Sequence, residues 1–587
     1  MLKKLYAYIL ILFLICDTNA QYYLRGEIKD DQKKPLQNVR IALHSDKNIY
    51  FSGTLGGFGI SCVSQKDSIT LILDGYVPQS IGVSTLILNQ IILKSLSSNI
   101  SKNLKKLTSV SKNNNFSSNF ILSVNDESYF SLIENEVIDA QKYPNTGFSL
   151  NINKASYSNV RRFLRTKSLV PPDAVRIEEL LNYFNLHYRE PDKNQDFKIE
   201  TQISDCPWNA ESKLLYLNVN ARKLDMINVP PCNLVFLIDA SGSMDMPNRL
   251  PLVKAAFQML VKNLRPVDTV SIVAYGGIVT VWLKPTSGME KQKIIESIEE
   301  LNAAGDTPGE SAIKMAYNLA KQTFIKGGNN RVILATDGDF NVGEASEKAL
   351  EDLITKERKS GVYLTCLGVG MGNYKDSKLE ILAKRGNGNY AYLDDIKEAE
   401  KVLVKEVTQT FYSVADDVFL NIHFNPDVIK NYRLIGFDNK RDAIKDTTGE
   451  LEGGDIGSGN SILSIFEILP TEPIINLNDS IDKIVAQVEL KYLTPDNKLY
   501  KQLKYSCLYN YISFNELNNE YRLGTAVAMF GMRIRQSKYY PISTDWSIIE
   551  KIAKNSYDPT NYLQKQFVDL ISIAKKLYPK NRKKMID

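Results

Sequence analysis

Three oxygen-bearing side chains, Asp239, Ser241 and Ser243, stand two apart after the apolar run at residues 234–238, with Gly242 between the last two. Oxygen donors without His or Cys suit a hard cation such as Mg²⁺, Mn²⁺ or Ca²⁺. The run is short, continuous and partly β-branched, which predicts a strand buried on both faces. In an open parallel sheet, ligands bind just past the carboxyl ends of such strands. The same three residues read equally well as caps for a helix beginning near Arg249. Two later stretches favour the metal. Asn302-Ala-Ala-Gly-Asp-Thr-Pro-Gly-Glu310 sets Thr307 in a tight Gly/Pro loop before a helical pattern at 311–326. Arg331-Val-Ile-Leu-Ala-Thr-Asp-Gly-Asp339 is a second buried strand, ending in Asp337 and followed by Gly338.

These three segments, in this order, resemble the von Willebrand factor type A domain and its metal-ion-dependent adhesion site. The family's D-x-S-x-S signature falls on Asp239, Ser241 and Ser243, its loop threonine on Thr307 and its third-loop aspartate on Asp337. The resemblance implies that the three hydroxyls bind the metal directly and that the two aspartates act mostly through water. Neutral ligands leave much of the ion's charge uncompensated. An open coordination position then attracts an anionic oxygen, most naturally an Asp or Glu carboxylate of another protein. The aspartates orient waters and hydroxyls from behind. The chemistry is that of metal-bridged docking, as in a non-enzymatic adhesion or scaffold protein. A second reading is a structural envelope module whose metal only stiffens the loops. A third, a Mg²⁺-dependent hydrolase, lacks support: there is no G-x-x-x-x-G-K-[ST] loop. Ser241 also stands where phosphatases with a strand-end aspartate usually carry a second acid. The three histidines, His44, His187 and His423, lie far from these motifs and from each other, which argues against a His-dependent triad.

The elements that must position these loops follow from periodicity. Across 230–411, apolar strands alternate with amphipathic helices, the signature of a doubly wound, mostly parallel sheet of Rossmann-like type. Strands are predicted at 234–238, 269–275, 331–336, 362–369 and 389–393, with an antiparallel addition at 280–284. Helices are predicted near 249–264, 290–301, 310–325, 344–360, 376–385 and 396–411. Residues 370–377 would rim the metal edge, while Asp245, Asp339 and Asn341 read as solvated or capping. The resemblance also allows a two-state shift of the last helix coupled to metal occupancy.

The remainder reads as a multidomain chain of α/β and β architecture. At 587 residues it exceeds one domain. A net charge of +5 over that length supports neither nucleic-acid nor membrane-surface binding. Residues 1–20, with Lys3 and Lys4 before an apolar run, predict a secretory signal cleaved after Ala20. A lipoprotein signal at Cys16 is the lesser reading, because Ile15 is bulky. No other segment is long enough to cross a bilayer. An exported chain is expected: periplasmic, envelope-associated or extracellular. Cys62, Cys206, Cys232, Cys366 and Cys507 form neither a disulfide framework nor a zinc pattern. A Cys206–Cys232 bridge is left open.

Residues 21–96 predict short strands between turns. Gly26, Lys34-Pro-Leu-Gln-Asn-Val39, Gly57-Phe-Gly59 and Asp74-Gly-Tyr76 resemble the carboxypeptidase regulatory-like β-sandwich, which implies no peptidase chemistry. Residues 97–136, rich in Ser, Asn and Lys, read as a flexible linker, with an amphipathic patch at 120–133 that could pack. Residues 137–228, through the stretches at 148–164 and 173–184 and Cys206-Pro-Trp-Asn209, resemble the region preceding the type A domain in a family of exported bacterial proteins. That family carries aspartates at the positions of Asn151 and Asn153, so a second cation site there is in doubt. Arg161, Arg162 and Arg176 are expected to pair with nearby acids such as Glu178 and Glu179. The type A domain is placed at 229–412. Residues 413–587, strands then helices, resemble that family's C-terminal domain at 524–537 and 566–571. Strands at 197–203 and 214–220 before the type A domain, and at 418–424, 462–469, 483–492 and 501–506 after it, suggest a β-sandwich that the type A domain interrupts.

Overall fold

The computed structural model describes residues 22–31, 33–45, 49–53, 56–62, 64–73, 76–94, 107–109, 127–130, 132–150, 153–225, 229–305, 309–338, 347–372, 374–437, 439–440, 453–471, 484–495, 499–541 and 545–578. It divides into two compact units, residues 1–106 and 107–587. The first is a β-sandwich. One sheet orders Gly57–Cys62, Tyr22–Asp30 and Leu88–Leu93; the other orders Ile49–Phe51, Arg40–Leu43, Lys66–Ile72 and Gln79–Ser84. Alternate residues such as Leu24, Ile41, Ile69 and Leu93 point inward to one core, as the period-two pattern requires.

In the second unit, a six-stranded sheet orders Ile278–Ser287, Thr269–Gly276, Cys232–Asp239, Asn329–Thr336, Tyr363–Gly368 and Tyr390–Tyr392. All neighbours are parallel except the edge strand Ile278–Ser287. Cys232–Asp239 is central and buried at all eight positions. Helices on both faces cover it: Leu250–Lys262 packs with Phe236, while Gly309–Gln322 packs with Val235 and Leu237. The predicted strands and helices are all present within a few residues, except the last helix. In place of one helix at 396–411, Ile396–Glu400 and Val407–Phe411 are α-helical and Lys401–Lys405 is a π turn. Lys401 is buried there, with its Nζ 3.0 Å from Glu406 and 4.0 Å from the Tyr183 ring centroid. Lys154 Nζ also reaches Glu406, at 2.9 Å.

Strands on either side of this α/β unit pair with one another. Lys213–Ala221 runs antiparallel to Ser461–Pro470, with Leu217 opposite Ser464. Asn145–Ser149 runs antiparallel to Ser413–Phe424, with Phe148 opposite Leu420. The two resulting sheets close over a core that includes Phe148, Leu217, Leu420, Phe466 and Val488. A helical core joins the same two stretches: Leu180 and Leu181 pack with Phe530, Met532 and Phe567. The α/β unit is thus inserted into a body built from chain on both sides of it.

Two expectations are corrected here. Residues 127–130, placed in a flexible linker whose patch at 120–133 could instead pack, do pack: Ser128–Phe130 is a strand, Tyr129 is fully buried, and Ser128 bridges to Lys375. The three arginines reach farther than their neighbours in sequence. Arg176 pairs with Glu179 but also with Asp376 at 2.6 Å; Arg161 pairs with Asp394 and with Glu398 at 2.7 Å; Arg162 pairs with Glu127 at 2.6 Å. All three guanidiniums are buried. Removing one partner of such a pair strands the other, at about 3–5 kcal/mol. The five described cysteines are free and buried, so the Cys206–Cys232 bridge left open by the sequence is not formed. Cys206 lies in the helical core, and the Cys232 thiol meets the Tyr412 hydroxyl at 2.9 Å.

Arg176 serves three acids at once, because Glu380 also approaches it at 3.7 Å. Burial pushes the Glu179 carboxyl up to about 7; Arg176 opposes the shift and Glu380 adds to it. Asp376 is raised by the same burial. A carboxyl raised in the folded state gives stability that is complete below its unfolded pKa and lost as pH rises through the folded one. Between roughly pH 4.5 and 7 this cluster therefore loses stability. Glu380→Gln removes a charge that repels Glu179 but is also drawn to Arg176, so in urea denaturation its effect on stability should be about 1 kcal/mol more favourable at pH 8 than at pH 5. An equal effect at both pH values would contradict this.

Candidate metal centre

The central strand delivers Asp239 to the sheet edge with its carboxylate fully buried. Asp239 Oδ1 accepts the Ser241 N–H at 3.0 Å, and Oδ2 accepts the Thr336 hydroxyl at 2.7 Å. Thr336 also accepts the Gly338 N–H at 3.1 Å, which ties the first loop to the third. The chain then makes a single 3-10 turn, Gly242–Met244. This turn sets Ser241 Oγ 3.2 Å from Ser243 Oγ. Ser241 is buried and Ser243 faces solvent, so the pair has one open side.

The capping reading can now be decided. The helix Leu250–Lys262 has Arg249 at its N-cap with no side-chain cap hydrogen bond, and the 3-10 turn has none either. None of the three side chains caps the helix Leu250–Lys262, and Asp239 holds only the Ser241 N–H ahead of the turn. The three side chains do fit a hard cation: adjacent ligands of an octahedral ion with bonds of about 2.1 Å lie about 3 Å apart, close to the hydroxyl separation observed. Burial pushes the Asp239 carboxyl up to about 6, and Asp337 adds to this, while the Thr336 and Ser241 hydrogen bonds oppose it. A carboxylate so placed is stabilised by a neighbouring cation.

The second loop is stitched to the first by backbone. Ala304 N–H donates to Ala240 O at 2.7 Å, and Gly242 N–H donates to Gly305 O at 3.0 Å. Gly305 has φ +76°, and a Cβ there would lie 2.6 Å from the Gly277 Cα, so neither side chain nor ordinary backbone fits this crossing. Thr307, two residues on, lies outside the described residues. In the third loop Asp337 is buried and pairs with Arg249 Nη1 at 2.8 Å. Of the five predicted site residues, the structure therefore describes Asp239, Ser241, Ser243 and Asp337 at one edge. Asp339 and Asn341 also lie outside the described residues, and Asp245 is exposed.

Sequence reasoning missed two residues. Thr336 orients Asp239, and nothing in a strand threonine signals that role. Arg249 left a trace: a cation at a helix N-terminus opposes the helix dipole and asks for another reason to be there. The predicted rim is also tied down. Arg249 Nη2 donates to Met371 O at 3.1 Å, and Gly372 N–H donates to Glu127 Oε1 at 2.9 Å. Asn153 Oδ1 accepts the Tyr390 N–H at 3.0 Å, a structural task; Asn151 lies outside the described residues. Among the described residues, no group of three or more His, Cys, Asp or Glu is arranged to hold a metal ion. No helix among them is long and apolar enough to cross a membrane.

The family model for the von Willebrand factor type A domain matches residues 233–405. A model described as von Willebrand factor matches 123–216, and one described as uncharacterized protein YfbK, C-terminal, matches 409–577. The first of these takes in the ordered strand Ser128–Phe130. The chain is 37% identical over 471 residues to uncharacterized protein YfbK of Escherichia coli (strain K12), covering 75% of this chain and 80% of that one. It is 31% identical over 149 residues to human inter-alpha-trypsin inhibitor heavy chain H4, covering 24% of this chain and 16% of that one. Among solved structures, a von Willebrand factor type A protein from Catenulispora acidiphila aligns with a TM-score of 0.36 and 16% identity, covering 62% of this chain and 88% of that one. The chain belongs to the YfbK family of von Willebrand factor type A domain proteins.

Proposed function

We propose that this protein is a non-enzymatic, exported adhesion or scaffold protein that docks a partner's Asp or Glu on a divalent cation, Mg²⁺ by preference. The observation that carries the reading is the pair of neutral hydroxyls, Ser241 Oγ and Ser243 Oγ, 3.2 Å apart beside the buried Asp239. When bound, the cation supplies an open coordination position to an anionic oxygen. Asp239 holds the Ser241 backbone through one oxygen and Thr336 through the other, and so fixes the turn that aims both hydroxyls. Thr307 is the third hydroxyl of the set by its family position. Residues 1–20 direct export, and residues 22–94 are a carboxypeptidase regulatory-like module, a reading supported by their sandwich fold.

Metal binding and the Asp239 charge are linked in a testable way. Because Asp239 is raised from 3.8 to about 6, its contribution to the metal-free fold is complete below pH 4 and lost as pH rises through about 6. At pH 7.5 with chelator the wild type therefore bears a cost of about 3 kcal/mol. Asp239→Asn, neutral and of the same shape, should unfold at higher temperature than wild type in chelator, and Mg²⁺ should raise the melting temperature of the wild type alone. An Asn variant that is less stable in chelator and still responds to Mg²⁺ would refute the site.

Capture is tested separately. Wild-type protein incubated with envelope extract and Mg²⁺ should retain a partner that both chelator and Ser243→Ala release, while circular dichroism shows the variant folded. If Ser243→Ala lowers thermal stability yet retains the partner, the metal only stiffens the loops and the docking reading fails.

A further inference from the structure

Arg249 is a buried cation set beside a site for a cation. Arg249 is 8% exposed as a residue, and its guanidinium spans three loops. Nη1 pairs with Asp337 Oδ2 at 2.8 Å and donates to Ser243 O at 2.5 Å; Nη2 donates to Met371 O at 3.1 Å. Nε is buried without a hydrogen-bond partner. It lies where a side chain at residue 370 would be: Gly370 has φ +82°, and a Cβ there would sit 2.6 Å from Nε. An arginine kept with one donor unmet, against a helix dipole, is held by the loops it joins and not by its own helix.

A guanidinium stays charged at any pH the protein meets. Among the described residues at this edge, Asp239 and Asp337 are the two buried negative charges, and Arg249 offsets one of them. A divalent ion between neutral hydroxyls would then leave these three buried groups and the ion with one net positive charge. Without Arg249 the same ion would be neutralised by the two carboxylates.

We propose that Arg249 is the residue that sets the charge of the metal site, holding Asp337 back so that affinity for metal is given up in exchange for affinity for the partner's carboxylate. This rests on the docking reading and deepens it. The guanidinium occupies one oxygen of Asp337, which restrains that side chain from swinging onto the ion. The same group joins the Ser243 turn to the rim carbonyl of Met371, so the exposed hydroxyl and the surface around it move together. Arg249 is a positioning residue: it acts on the ligand through the metal and through Asp337.

The two parts of this role have opposite signs, which a merely structural arginine would not produce. The test uses the full chain without its first 20 residues, titrated with Mn²⁺ by calorimetry, and then with acetate while water proton relaxation reports the open position on Mn²⁺. Arg249→Met, uncharged and of similar reach, should bind Mn²⁺ about tenfold more tightly and acetate about tenfold more weakly than wild type. Arg249→Lys, which keeps the charge, should stay within about threefold of wild type for Mn²⁺. Weaker Mn²⁺ binding by Arg249→Met, or unchanged acetate binding, would overturn the inference while leaving the metal site standing. If Arg249→Met does not fold, the lysine variant decides: tenfold tighter Mn²⁺ binding by Arg249→Lys would overturn it too. Wild type that binds no Mn²⁺ would bring down the docking reading and this inference together.

Discussion

A buried carboxylate at the end of a buried strand is the constraint on which the second unit depends. Asp239 is fully buried, and the groups that hold it, the Ser241 amide and the Ser241 and Thr336 hydroxyls, are all neutral. Neutral donors offset only part of the cost of burying a charge. The sheet keeps that charge in place because the strand behind it is packed on both faces, with eight of eight residues buried. A rigid strand, a one-turn reversal and two adjacent hydroxyls are together what a small, hard cation needs.

Around that edge the chain spends its other buried charges on joining parts. Arg161 and Arg176 leave the flanking helices Ala155–Arg165 and Ile177–Asn182, or their ends, and reach Asp394, Glu398 and Asp376 of the inserted domain. Glu127 sits between Arg162 and the Gly372 amide, so a strand ahead of the family's helical segment braces the metal rim from outside. The last segment of the inserted domain is held at both ends, by Arg161 at Glu398 and by Lys154 and Lys401 at Glu406. A π turn lies between these anchors. Any movement of that segment has to break buried ion pairs, and it would be felt by the sandwich whose strands enter and leave the insertion.

Much of this was legible in the sequence because it follows from periodicity. The run at 234–238 and the strand just before Asp337 are short, apolar and partly β-branched, which reads as buried strands, and the alternating helices point to a parallel sheet. The pairing of Lys213–Ala221 with Ser461–Pro470 was inferable because strands flank an insertion on both sides. Long-range ion pairs were not. Arg161 and Asp394 are 233 residues apart, and a guanidinium carries no mark of which acid it will meet. The buried strand at Ser128–Phe130 was hidden by a polar neighbourhood: its Glu127 and Ser128 look solvated until Arg162 and Lys375 are placed beside them. The broken last helix was hidden too, since nothing in the apolar spacing of 396–411 shows that Lys401 is drawn inward to Glu406.

The central claim is that a single cation is held by hydroxyls at this edge. A crystal of the full chain soaked in Mn²⁺, with data collected at the manganese absorption edge, tests it most directly. The account predicts one anomalous peak at bonding distance, about 2.1–2.2 Å, from both Ser241 Oγ and Ser243 Oγ, with Thr307 completing the hydroxyl set. Density that places manganese on carboxylates alone, or leaves the two serine hydroxyls bonded only to each other, would contradict it.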